Sequence, residues 1–145
     1  MIGFFQPPPP AAPVAESEVA ERYEYWRWRQ LYATFVGYAL YYFVRKNLSC
    51  AMPLMEKELG IGKRQLGSFL TCHGILYGLS KFLNGILADR SDARRFMAVG
   101  LLASALLNLA FGFSGGVLAM GILWVLNGWV QGMGFPPCAR VLSHW

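Results

Sequence analysis

An all-α polytopic membrane helical bundle is the fold class this sequence predicts, and three observations carry it. Four stretches of mostly apolar residues, each near the roughly 20 needed to cross a bilayer core, alternate with short connections rich in charge or glycine. Hydrophobic residues make up 55% of the 145 and charged residues only 14%, with a mean hydropathy of +0.35, a balance foreign to soluble domains. Small residues recur four apart at Gly74–Gly78 and at Gly128–Gly132, a spacing that lets two helix backbones approach closely.

The elements follow in order. Residues 1–20, with Pro7 to Pro10 and no basic segment ahead of an apolar core, read as a disordered cytoplasmic tail and not a signal peptide. Glu21 to Arg29 interleaves Tyr23, Tyr25, Trp26 and Trp28 with arginines, the composition of an interfacial collar. Residues 21–145 then form one transporter-like domain. Its first helix runs over about 30–55, with a break or kink expected at Pro53. A polar connection with Gly60 and Gly62 leads to a second helix over about 65–88. A tight charged turn from Asp89 to Arg95 precedes a third helix over about 96–113. Ser114-Gly115-Gly116 turns into a fourth over about 117–135, which Pro136-Pro137 ends or kinks. Arginines before the first helix, between the second and third, and after the fourth put those sides in the cytoplasm, with the N-terminus inside. The stop at His144-Trp145 looks abrupt, so the chain reads as a fragment of a longer transporter or a truncated frame.

Charge and cysteine usage exclude several function classes. The net charge is +5, but no block of Lys/Arg resembles a nucleic-acid patch. Cys50, Cys72 and Cys138 lie in apolar segments without CxxC or His spacing, so free thiols are expected and no metal site. No nucleophile–base pair or Gly-rich phosphate loop appears, so neither an enzyme nor a cofactor is expected.

The chemistry sits where Arg45 and Lys46 interrupt the first apolar run. A cation at the centre of a spanning helix costs about 2.5–3.5 kcal/mol on insertion scales and usually faces a bundle interior or a water-filled path. The plainer alternative ends the helix at Val44 and leaves the pair as flanking charges. Lys81 on the second helix falls near the same depth, or else snorkels to the interface. Every acidic residue lies in the tail, a loop or a helix end, so the spans carry cations without carboxylates. A carboxylate from another helix, a water-filled cavity or an anionic substrate would each compensate them. Arginine suits phosphate, because its planar fork donates two parallel hydrogen bonds. Tyr38, Tyr41, Tyr42 and Ser49 share the face of Arg45, and Tyr77, Lys81 and Asn84 share a face of the second helix. Asn127 and Gln131 are four apart on the fourth. These polar groups serve either substrate contact or hydrogen bonds between helices. His73 stands alone and reads as a packing histidine rather than a proton carrier.

Gly85-Ile86-Leu87-Ala88-Asp89-Arg90-Ser91-Asp92-Ala93-Arg94-Arg95 resembles the signature loop of the major facilitator superfamily, with Ala93 in place of its second glycine. Such a loop latches one transporter state through Gly85, Asp89, Arg90, Arg94 and Arg95. Tyr41 to Asn47, Tyr77 to Phe82 and Gln131 to Arg140 narrow the resemblance to the organophosphate:phosphate antiporters, and the collar at 22–27 is most similar to their hexose-phosphate sensor member. The resemblance implies a twelve-helix fold, of which this chain holds the first four helices, and alternating access at an inner-membrane site. It implies exchange of a sugar phosphate or glycerol phosphate for inorganic phosphate, with Arg45 on the phosphate and Lys46 and Lys81 supplying positive field; Tyr38 and Tyr42, on the face of Arg45 by helical offset, are expected to line the same site. It implies helices beyond this chain as partners. If the sensor reading holds, a membrane histidine kinase is a further partner.

Overall fold

The computed structural model describes residues 5–10 and 12–144. Among the described residues the helices are, in order, α1 Glu16–Leu59, α2 Lys63–Asp89, α3 Ala93–Phe113, α4 Val117–Gln131 and α5 Phe135–His144.

Helix α1 is 44 residues long. At 1.5 Å per residue it extends about 66 Å, roughly twice the bilayer core. It starts 14 residues before the expected Gln30, taking in the collar and residues 16–20 of the expected tail. Residues 1–4 and 11 of that tail lie outside the described residues. The physical reason for the early start is local. Glu16 and Glu18 stand in the first turn, favourable to the helix dipole. Glu18 pairs with Arg22 one turn on at 2.8 Å. Arg27 and Arg29 stack over Tyr23 and Tyr25, at 5.7 and 4.5 Å from the ring centroids, again at a spacing of four. The helix also runs on through Pro53 to Leu59, where Gly60 ends it with a left-handed φ of 64°.

The four cores of apolar sequence pack unevenly. Helix α4 lies against both α2 and α3, α5 touches α1, α2 and α3, and α1 rests on α3 and α5. At the end carrying the α1–α2 and α3–α4 turns, Leu48, Met55, Ile61, Leu66, Phe69, Met120 and Trp124 form a buried cluster. Helix α3 and the stretch Val117–Ser143 are long and apolar enough to span a membrane, with mean hydropathies of 2.0 and 1.3. Helices α1 and α2 carry Arg45, Lys46 and Lys81 and fall short of that apolarity.

The α2–α4 contact rests on Gly128 and Gly132. A Cβ on Gly128 would lie 2.7 Å from the His73 carbonyl oxygen, and one on Gly132 would lie 2.7 Å from Ser80 Cβ. Ser80 Oγ donates to the Trp129 carbonyl across the same seam. The expected close approach at Gly74 and Gly78 is absent among the described residues. Both glycines face open space, because α2 turns its other side to α4.

The fourth apolar stretch is broken earlier than its prolines suggest. Helix α4 stops at Gln131 rather than 135, and at 15 residues it spans only about 22 Å. Gly132 to Gly134 then turn, and Pro136 and Pro137 occupy the first turn of α5, where their missing N–H groups cost no helical bond. The turn stays satisfied, since Gly132, Met133 and Gly134 donate to the carbonyls of Trp129, Val130 and Gln131 at 3.1–3.3 Å.

At the opposite end Asp92 caps α3, accepting from the backbone N–H groups of Arg94 and Arg95 at 2.9 and 3.2 Å. The Asp92 N–H donates to the Phe5 carbonyl at 2.7 Å. Arg140 on α5 donates through Nη1 to the carbonyls of Ala88 and Ser91 at 2.7 and 2.8 Å, closing the end of α2. Hydrogen bonds from a charged donor are worth about 1.5–3 kcal/mol. Arg140→Gln in the full-length protein is therefore expected to lower its melting temperature by several degrees in detergent; an unchanged melting curve would remove this clamp from the account.

Candidate functional site

The site lies where α1, α2, α4 and α5 meet at mid-bundle. Arg45 projects from α1 and is half-buried. Its guanidinium carbon stands 4.3 Å from the Tyr77 ring centroid and 4.9 Å from that of Tyr42. Lys81, one turn beyond Tyr77 on α2, places Nζ 4.5 Å from the same Tyr77 ring and 4.7 Å from Phe135. Two cations from two helices thus share one aromatic ring and one depth. Tyr38 packs edge-on against Tyr42 at 5.4 Å and meets Phe135 at 6.1 Å.

Among the described residues nothing negative answers these charges. Ion pairs among the described residues join Arg22 to Glu18, Lys63 to Glu56 and Arg95 to Asp92, all at helix ends. Arg45 Nε donates to Gln131 Oε1 at 3.3 Å, while its Nη2 is buried without a hydrogen-bond partner. A buried guanidinium donor left open is costly, and an anion approaching Nη2 would relieve that cost. Aromatic faces hold the cations in place without neutralising them.

Lys46 is not part of this cluster. It is exposed and borders a neighbouring trough of about 880 Å³, lined mostly by apolar side chains, whose wall also includes Tyr38, Tyr42, Asn47, Cys50 and Phe135. The tyrosines therefore lie between Lys46 and the Arg45–Lys81 pair.

Other polar residues on the expected faces are used in packing. Tyr41 is fully buried and donates to the Met97 carbonyl on α3 at 2.7 Å, so it points away from the site. Asn84 donates to Ser80 Oγ at 2.6 Å. His73 is buried, stacks on Trp124 at 5.1 Å and sets Nδ1 2.9 Å from the Trp124 carbonyl, as a packing histidine does. Its Nε2 has no partner. Asn127 and Gln131 both hydrogen-bond between helices, and the residue that joins them is Ser104 on α3, which sequence reasoning passed over. Gln131 Nε2 donates to Ser104 Oγ at 2.7 Å, and Ser104 donates to Asn127 Oδ1 at 2.6 Å. The available signal was Asn108 four residues after Ser104, a polar stripe on an otherwise apolar helix.

The turn expected over Asp89 to Arg95 is shorter: Gly85, half-buried, and Asp89, exposed, end α2, exposed Arg90 stands in the connection, and exposed Arg94 and Arg95 lie in the first turn of α3. Asp92, singled out for nothing in the sequence, caps α3, and Arg95 Nε approaches its carboxylate at 3.9 Å.

A profile of the Major Facilitator Superfamily matches residues 34–145. The chain belongs to that superfamily. It is 46% identical over 98% of its length to a probable hexose phosphate transport protein of Chlamydia pneumoniae, covering 31% of that protein. It is 42% identical over its whole length to the membrane sensor protein UhpC of Escherichia coli K12, covering 33% of it. It is 38% identical, again over its whole length, to the glycerol-3-phosphate transporter of Bacillus subtilis, of which it also covers 33%. The chain thus spans about a third of the length of the curated relatives it matches. Membership of this superfamily makes it a membrane protein, and its all-helical architecture agrees.

Proposed function

We propose that this chain forms the first four helices of an inner-membrane exchanger that trades a sugar phosphate or glycerol phosphate for inorganic phosphate. The observation that carries the reading is the Arg45 guanidinium. It is braced on two tyrosines, shares Tyr77 with Lys81, meets no carboxylate and keeps Nη2 buried and unpartnered. A phosphoryl oxygen supplies the missing acceptor, and a dianion balances two cations in a site of low dielectric. In this reading Arg45 takes the phosphate, Lys81 adds positive field at the same depth, and Lys46 attracts anions along the trough that Tyr38 and Tyr42 border. The names of the relatives, which concern hexose phosphate and glycerol-3-phosphate, agree with that chemistry.

The remaining helices of a twelve-helix fold would close the site from the other side, and rocking of two halves would expose it alternately. The N-terminus lies in the cytoplasm, as the arginines at 90, 94, 95 and 140 and those before α1 favour. The α2–α3 junction, with Gly85 and Asp89 ending α2, Arg90 between the helices, and Arg94 and Arg95 opening α3, then sits on the cytoplasmic face and latches one state. Asp89 has no ion-pair partner among the described residues, so its partner would come from the other half.

A second reading is favoured by the 42% identity to a membrane sensor protein. In it the same site binds external hexose phosphate and signals to a membrane histidine kinase. Proteoliposomes holding the full-length protein and loaded with phosphate separate the two. Exchange of labelled phosphate, inhibited by glucose-6-phosphate or glycerol-3-phosphate, supports the exchanger. Phosphoester binding without exchange supports the sensor, and neither binding nor exchange removes the phosphate site.

A further inference from the structure

We propose that Ser104, acting through Gln131, is a positioning residue that fixes which edge of the Arg45 guanidinium faces the anion. The inference rests on the phosphate reading of Arg45. Ser104, Gln131 and Asn127 are 0%, 0% and 1% exposed, on α3, α4 and α4, and none lines the trough. A hydroxyl carries one proton. The Ser104 proton goes to Asn127 Oδ1, so its oxygen lone pairs face Gln131. Only the amide nitrogen of Gln131 satisfies a lone pair, which puts Nε2 towards Ser104 and Oε1 towards Arg45 Nε. The reversed amide would set an N–H donor against a cationic N–H donor. Arg45 is thereby held by Nε, and its buried Nη2 keeps no hydrogen-bond partner. A guanidinium that met Gln131 through Nη1 or Nη2 instead of Nε would turn a different edge towards the anion.

The test is phosphate exchange by the full-length protein, with KM and kcat determined separately for Ser104→Ala, Ser104→Thr and Gln131→Glu. Loss of the hydroxyl in Ser104→Ala is expected to raise KM for phosphate about fivefold with kcat little changed, the worth of one hydrogen bond. Ser104→Thr keeps the hydroxyl and restores KM. Gln131→Glu gives Arg45 a competing carboxylate and raises KM about tenfold or more. A merely structural Ser104 would lower the melting temperature and the amount of active protein and leave KM alone. Wild-type exchange with KM unchanged in Ser104→Ala and Gln131→Glu overturns this inference alone. Absence of phosphate binding and exchange in the wild type overturns the phosphate reading, and this inference with it.

Discussion

If the full-length protein exchanges phosphate as proposed, Arg45→Lys is expected to lower kcat/KM about 100-fold, a loss of roughly 2.7 kcal/mol in transition-state stabilisation. The charge is kept, so a simple field effect would predict little change. What lysine loses is geometry. Its ammonium cannot lie flat between Tyr77 and Tyr42, which hold the guanidinium carbon at 4.3 and 4.9 Å. Nor can it give one donor to Gln131 while offering a planar pair to the anion. Lys81→Arg, by contrast, preserves charge on a residue that stands over the Tyr77 and Phe135 rings, and is expected to cost far less. Initial rates of labelled phosphate uptake into loaded proteoliposomes give the answer. An Arg45→Lys rate within threefold of wild type would mean that charge alone, not the fork, binds the substrate.

The second large effect falls on folding. Gly128→Val is expected to abolish most of the monodisperse protein, because the added Cβ would meet the backbone of His73, its carbonyl oxygen at 2.7 Å and its Cα at 3.2 Å. Overpacking a core costs about 1–3 kcal/mol when side chains can yield. Here the obstacle is backbone, so α2 and α4 must separate and the Ser80–Trp129 bond across the seam is lost with them. Gly74→Val is the matched control, since nothing lies within 4 Å of its Cβ position. Size-exclusion profiles of the two variants in one detergent test the contrast; equal recovery would mean that the α2–α4 seam is looser than described.

The Arg45–Lys81 pair was legible in the sequence because the signal is so rare. Cations in apolar runs, with no carboxylate at the same depth, leave few arrangements. The helices themselves were legible for the related reason that apolar length fixes a span. The faces of those helices were less so. Helical offsets placed Tyr41 beside Arg45, yet a tyrosine three residues from another can point to a different neighbour, and Tyr41 found the Met97 carbonyl. Gly74–Gly78 and Gly128–Gly132 are the same motif in sequence, and only the second pair meets a backbone, because spacing says nothing about which side a partner occupies. The start of α1 was hidden by proline at 7–10 and 13, which drew attention from the Glu–Arg and Tyr–Arg pairs four apart that extend the helix back to Glu16. The break after Gln131 was placed four residues late. Prolines mark where a helix cannot continue, but here they begin α5, and the glycines before them make the turn. That shift matters to the site, since it ends α4 at the residue that holds Arg45.

The central claim is that Arg45 offers a binding site for a phosphoryl group, and both the exchanger and the sensor readings need it. Equilibrium dialysis of labelled inorganic phosphate against the purified full-length protein tests it without requiring transport. The account predicts saturable binding, displaced by glucose-6-phosphate or glycerol-3-phosphate and lost in Arg45→Lys. Saturable binding that Arg45→Lys leaves intact, or no binding by the wild type, would contradict it.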